Sequence, residues 1–230
     1  MPDDPTTSEL DKMRQDWDER ARENARYYVA SGQEQWSDED YFRSGEINVE
    51  REILTDMGNV CQGMDPKQMR VLEIGCGTGR ITRALAKVFG QVYAVDISGE
   101  MIAQARLALH GHPNAHVFQN NGRDLDVVRE ALGGHSVDFA FTYIVFQHIP
   151  SRDVIHNYVR QVRALLRPGG LFKFQVQGFT DEEAPKDSWL GASFTEEQAR
   201  EMAESCGFEM RYHHGAGDQY YWLWFFKPNE

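Results

Sequence analysis

Cysteine is scarce: Cys61, Cys76 and Cys206 are the only three in 230 residues, too few and too widely spaced for a disulfide framework. None belongs to a CxxC pair, so neither a structural zinc site nor any other metal centre is expected. Long apolar runs are lacking as well, for none reaches the roughly 18 residues that would span a bilayer. The opening MPDDPTTSEL has no basic stretch followed by an apolar one. Together these absences set the expectation of a cytoplasmic protein with no membrane partner. Positive charge is also short, with 24 Lys and Arg against 36 Asp and Glu, a net charge of -12. No basic run is present to track a phosphate backbone, which disfavours nucleic acid as a partner.

What is present reads as one domain, residues 67–230, behind an N-terminal helical extension, residues 1–66. The extension holds a helix from a Ser8 cap to a Gly32 stop and a second from about Gly45 to Gly58. Between them lies QEQWSDEDYFRS, and the whole region is rich in aromatics: Trp17, Tyr28, Trp36 and Phe42 are candidates for a lid or substrate wall. From residue 70 short apolar runs alternate with amphipathic helices, the pattern of a parallel sheet with crossover helices. Strands are expected near 70–75, 91–96, 115–119, 137–142 and 170–177, with helices near 79–88, 99–110, 124–132 and 152–167. A helix from Thr195 to Cys206 and the strands FEMRYHH and YYWLWFFKP complete the chain, the last two joined too closely for a crossover and so antiparallel.

The most informative segment is VLEIGCGTGR, residues 71–80, where an apolar strand runs into Gly75, Gly77 and Gly79 and then a helix. Glycines there permit positive φ and close approach of backbone to a ligand, and the free amides of the helix start favour a polar or anionic group. A dinucleotide fingerprint would place its third small residue at position 80, which is Arg80. The next strand, QVYAVD, ends on Asp96, a carboxylate suited to accept two ribose hydroxyls. The third ends in VFQNNGRDL, where Asn121 and the amides of Gly122 and Arg123 could hold the edge of a base. For Asp96 the alternative is a cap on the next helix, and for the asparagines an Asn-Gly turn accounts for the side chains equally well.

The spacing G-x-G-x-G with Glu73 two residues ahead resembles motif I of the class I S-adenosylmethionine-dependent methyltransferases. VDFAFTYIVFQHIP and LLRPGGLFKFQV resemble that family's fourth strand with its following loop and its fifth strand. The resemblance implies a Rossmann-like, doubly wound α/β sheet of seven strands, mostly parallel, with an antiparallel C-terminal strand and an N-terminal helical cover. It implies S-adenosyl-L-methionine as cofactor, released as S-adenosyl-L-homocysteine, bound by Glu73, Gly75, Cys76, Gly77, Gly79, Arg80, Asp96, Ile97, Met101, Asn121, Gly122, Arg123, Thr142 and Tyr143. The acceptor would be a small molecule methylated on oxygen or nitrogen at the mouth of the fourth strand.

Methyl transfer from a sulfonium needs alignment, exclusion of water and, for some acceptors, removal of a proton. His148 is the titratable candidate for that proton, Tyr143 a second catalytic candidate, and Gln147 and Trp189 candidates for the substrate wall. Asp138 begins its strand at the wrong end of the sheet for catalysis, and His213 and His214 point to opposite faces of theirs. Two other readings stay open on the residues: a nicotinamide-dependent oxidoreductase, against which Arg80 and the terminal strand pair speak, and a non-catalytic cofactor-binding module serving as a protein partner.

Overall fold

A computed structural model describes residues 5–179 and 189–229. Its seven strands lie in the order β3-β2-β1-β4-β5-β7-β6, the sheet expected from the sequence, and its contacts group into two units, Met1–Gly122 and Arg123–Glu230. Among the described residues no helix is long and apolar enough to cross a membrane.

The first unit opens with helix α1, Pro5–Val29, followed by α2, Asp38–Glu52, and a short α3, Met57–Cys61. The sequence reading took α1 as one rod from Ser8 to Gly32. It is instead two helical segments, because Asn24 takes φ −162° and ψ 78° and its Oδ1 accepts the Tyr27 amide at 3.2 Å, capping the second segment. The start of α2 also needs correction. The segment read as a connection carries the true start signal: Ser37 accepts the Asp40 amide, and Asp38, Glu39 and Asp40 fill the first turn, favourable against the helix dipole. Gly45, taken as a boundary, is a packing point, since a Cβ there would stand 2.4 Å from the Arg80 carbonyl oxygen.

Strands β1, Arg70–Ile74, β2, Gln91–Asp96, and β3, Ala115–Gln119, pair in parallel in the order β3-β2-β1. Val71, Leu72, Val92, Ala94 and Val95 are buried, as strands covered on both faces require. Helices α4, Arg80–Val88, and α5, Gly99–Ala108, follow β1 and β2.

The second unit holds α6, Asp126–Leu132, β4, Val137–Thr142, α7, Arg152–Leu165, β5, Leu166–Val176, α8, Glu196–Ser205, β6, Glu209–His214, and β7, Tyr221–Phe226. β4 and β5 are parallel; β7 runs antiparallel to β5 on one side and β6 on the other. β5 begins earlier than the sequence suggests. Pro168 and the two following glycines form an irregularity inside the strand, between the pairs Val137–Leu166 and Phe139–Leu171, and Gly169 there takes φ +73°. Arg167 turns back to Asp138, Nε to Oδ1 3.1 Å, so that carboxylate is engaged away from the mouth of β4.

Candidate functional site

In the first unit the glycine turn and the ends of β1 and β2 form one bonded assembly. Gly75, Gly77 and Gly79 have φ of +74°, +51° and +82°, which only glycine adopts without strain. The carboxylate of Asp96 holds the turn in place: Oδ2 accepts the Gly77 amide at 2.8 Å and Oδ1 the Ser98 amide at 2.9 Å. Burial pushes its carboxyl up to about 6 against the lowering effect of those amides. Gly79 caps α4 without any side-chain hydrogen bond, so the positive end of that helix opens from the turn. Glycine backbone, a strand-end carboxylate held by backbone amides, and a helix start capped by no side chain fit a nucleoside cofactor carrying ribose hydroxyls and a polar tail.

The other residues expected to hold cofactor divide. Ile97 and Gly122 lie together, since a Cβ on Gly122 would come within 3.0 Å of Ile97 Cδ1. Asn121 and Arg123 are exposed at the end of that segment, each in its own unit. Met101 packs with Ala21 and Ala25, flanked by Trp17 and Val29. Cys76 turns inward to Ala94 and Ile102, and burial raises its thiol well above the usual range, so its backbone alone belongs to the turn. Glu73 is wholly buried and accepts from Thr82 Oγ1 at 2.6 Å, tying β1 to α4; burial pushes its carboxyl up to about 8. Arg80 donates to Asn48 Oδ1 at 2.6 Å and to Ser44 Oγ at 3.1 Å, which ties α4 to α2.

Helix α1 sits directly on this assembly. A Cβ at Gly77 would meet Val29 Cγ2 at 2.8 Å, and one at Gly122 would meet Leu10 Cδ2 at 2.9 Å. Asp18 Oδ1 accepts from Ser98 Oγ at 2.6 Å and from the Glu100 amide at 3.2 Å, reinforcing the start of α5 from another helix. The lid aromatics are scattered by comparison. Trp17 flanks Met101 and carries the Arg20 guanidinium at 4.8 Å. Tyr28 donates to Glu23, and Trp36 to the Ala30 carbonyl. Phe42 lies under Arg83 at 4.2 Å, beside a cleft of about 500 Å³ shared with Asp38, Glu39, Arg43 and Glu46. Its neighbour Tyr41 is the fully buried one, 2.6 Å from Thr78 Oγ1 in the glycine turn. Sequence reasoning missed Tyr41, Leu10 and Asp18, since only the phase of a helix decides which of two adjacent aromatics turns inward.

In the second unit β4 ends on Thr142, whose hydroxyl is fully buried with no hydrogen-bond partner among the described residues. Tyr143 follows, its ring stacked on Phe141 at 6.4 Å and on Trp222 at 5.6 Å. On the same face Lys173 is buried with its ammonium 5.5 Å from the Trp222 ring and 4.5 Å from that of Trp224. Ile144 then takes φ +54°, a left-handed conformation that strains a β-branched residue by about 1–3 kcal/mol. A short turn, Phe146–His148, brings Gln147 and His148 into burial. His148 Nδ1 lies 2.7 Å from the Trp189 carbonyl and its ring 5.3 Å from the Trp189 ring, so three of the expected residues, Gln147, His148 and Trp189, do meet. The segment 180–188, just before Trp189, lies outside the described residues.

Comparison with known proteins finds similarity over part of the chain in sequence and over most of it in fold. Residues 72–172 match the family model of a methyltransferase domain. A malonyl-[acyl-carrier protein] O-methyltransferase of Halalkalibacterium halodurans is 36% identical over 110 residues, which are 47% of this chain and 39% of that protein. The chain thus spans well under half of that relative's length. Among solved structures, magnesium protoporphyrin IX methyltransferase of Synechocystis PCC 6803 with bound S-adenosylmethionine has a TM-score of 0.65 at 17% identity, covering 95% of this chain and 97% of that one. A DhpI complex with S-adenosylhomocysteine has a TM-score of 0.63 at 19% identity, covering 96% and 98%. Residues 72–172 thus match a methyltransferase domain, and the chain shares the fold of these solved S-adenosylmethionine- and S-adenosylhomocysteine-bound proteins.

Proposed function

We propose that the chain is an enzyme that binds S-adenosyl-L-methionine and transfers its methyl group to an oxygen or nitrogen of a small organic acceptor. The carrying observation is the 2.8 Å bond from the Gly77 amide to Asp96, which makes the glycine turn and the strand-end carboxylate a single cradle. Asp96 would accept the ribose hydroxyls, the turn amides and the start of α4 would receive the polar tail, and Ile97 with Gly122 would flank the base. The cofactor supplies an activated methyl: its sulfur–carbon bond breaks with the electron pair going to sulfur as the acceptor's lone pair forms the new bond.

The chain's own residues have simpler tasks. Leu10, Val29 and Trp17 on α1 exclude water from the cradle. Thr142 and Tyr143 would face the acceptor, and His148 would take the proton that a hydroxyl or ammonium acceptor gives up. A small acceptor is favoured by the aromatic lining at Tyr143 and Trp222, and the net charge of -12 opposes polyanionic partners. Parallel calorimetric titration with S-adenosylhomocysteine and with NAD tests the cofactor. The expected result is saturable binding of the first alone; preference for NAD overturns it. Conversion of S-adenosylmethionine in the presence of phenols, carboxylic acids or amines tests the reaction, and a chain that binds cofactor yet turns over with none of them would be a binding module.

A further inference from the structure

Gln175 is a polar side chain in the apolar run LFKFQV, and it is fully buried. A buried amide needs its hydrogen bonds made, and this one makes all of them within the second unit. Its Oε1 accepts the amide of the strained Ile144 at 3.0 Å. Its Nε2 donates to Gln147 Oε1 at 2.7 Å, to the Val176 carbonyl at 3.2 Å and to the Gln219 carbonyl at 3.3 Å.

These partners leave no freedom in the direction of the bonds. A backbone N–H can only donate and a backbone carbonyl can only accept, so Gln175 cannot be turned over. Its Nε2 must then face the oxygen of Gln147, which leaves the Gln147 amide nitrogen facing His148 Nε2 at 3.4 Å. On the far side of the ring the Trp189 carbonyl requires a proton on Nδ1. Both sides of the imidazole therefore demand the same arrangement, Nδ1 protonated and Nε2 carrying the lone pair. The lock is tight at Gln175 and longer at the ring.

We propose that Gln175, acting through Gln147, is the positioning residue that directs the Nε2 lone pair of His148. This rests on the methyl-transfer reading for its purpose, but not for its test. In 15N-histidine-labelled full-length protein, with His148→Asn assigning one of the eight histidines, His148 should show a protonated Nδ1 and a hydrogen-bonded, unprotonated Nε2. In Gln175→Met, which keeps the length and removes both ends of the amide, Nδ1 should stay protonated while the Nε2 resonance shifts from its native value. Affinity for S-adenosylhomocysteine should stay within about twofold, because Gln175 is not in the cradle. A proton on Nε2 in the native protein, or the same Nε2 resonance in native and variant, overturns the proposal. If Gln175→Met does not fold, the native tautomer and the same shift in Gln147→Met decide it on the same criteria. No turnover is needed, so failure here is separate from failure of the cofactor titration.

Discussion

Asp96 can accept ribose hydroxyls fully only while ionised, and burial pushes its carboxyl up to about 6. Affinity for S-adenosylhomocysteine should therefore fall as pH drops below about 6, by up to tenfold per unit, and Asp96→Asn should bind weakly with a flat profile. Calorimetry between about pH 5 and pH 8 checks both. Glu73 works in the opposite sense for stability. Its folded carboxyl titrates near 8, above the ordinary 4.5, so the folded chain keeps a proton that the unfolded chain releases. Stability from this group is full below about pH 4.5 and is lost as pH rises toward 8, at most about 1.4 kcal/mol per unit. Glu73→Gln keeps an oxygen for Thr82 and should flatten that decline, read as melting temperature against pH.

Among the elements, α1 has the most telling placement, because Leu10 and Val29 rest on glycines of the cradle and Asp18 reaches across to the start of α5. Asp18→Ala should cost about 1 kcal/mol, as loss of a cap does, and speed amide exchange in α1 and the first turn of α5. Unchanged exchange would mean that the contact does not hold the helix down. The strands and most helices from residue 70 onward were legible in the sequence because periodicity records burial on one or both faces. The start of α2 was equally written there, in Ser37 and the three acids after it, but Gly45 was taken as the boundary instead. The start of β5 was hidden by Pro168 and two glycines, which usually end elements and here bend one. At the site the glycines and Asp96 were visible as backbone chemistry. Gln175 carried the quieter signal of a polar residue in a buried strand, and its partners Ile144, Gln147 and Gln219 come from segments that no local pattern links to it.

For the whole molecule, a ligand that binds only the folded chain must stabilise it by mass action. S-adenosylhomocysteine at a hundred times its dissociation constant should add about 2.7 kcal/mol, seen as a rise in melting temperature that NAD at equal concentration does not give. The stack of Tyr143 on Trp222, with Lys173 behind it, has a consequence for watching the protein work. An indole so close to a phenol and an ammonium has an emission sensitive to either neighbour. Acceptor arriving beside Tyr143 should change the fluorescence of the native chain and change that of Trp222→Phe less, which makes the protein its own dye for finding the proposed acceptor.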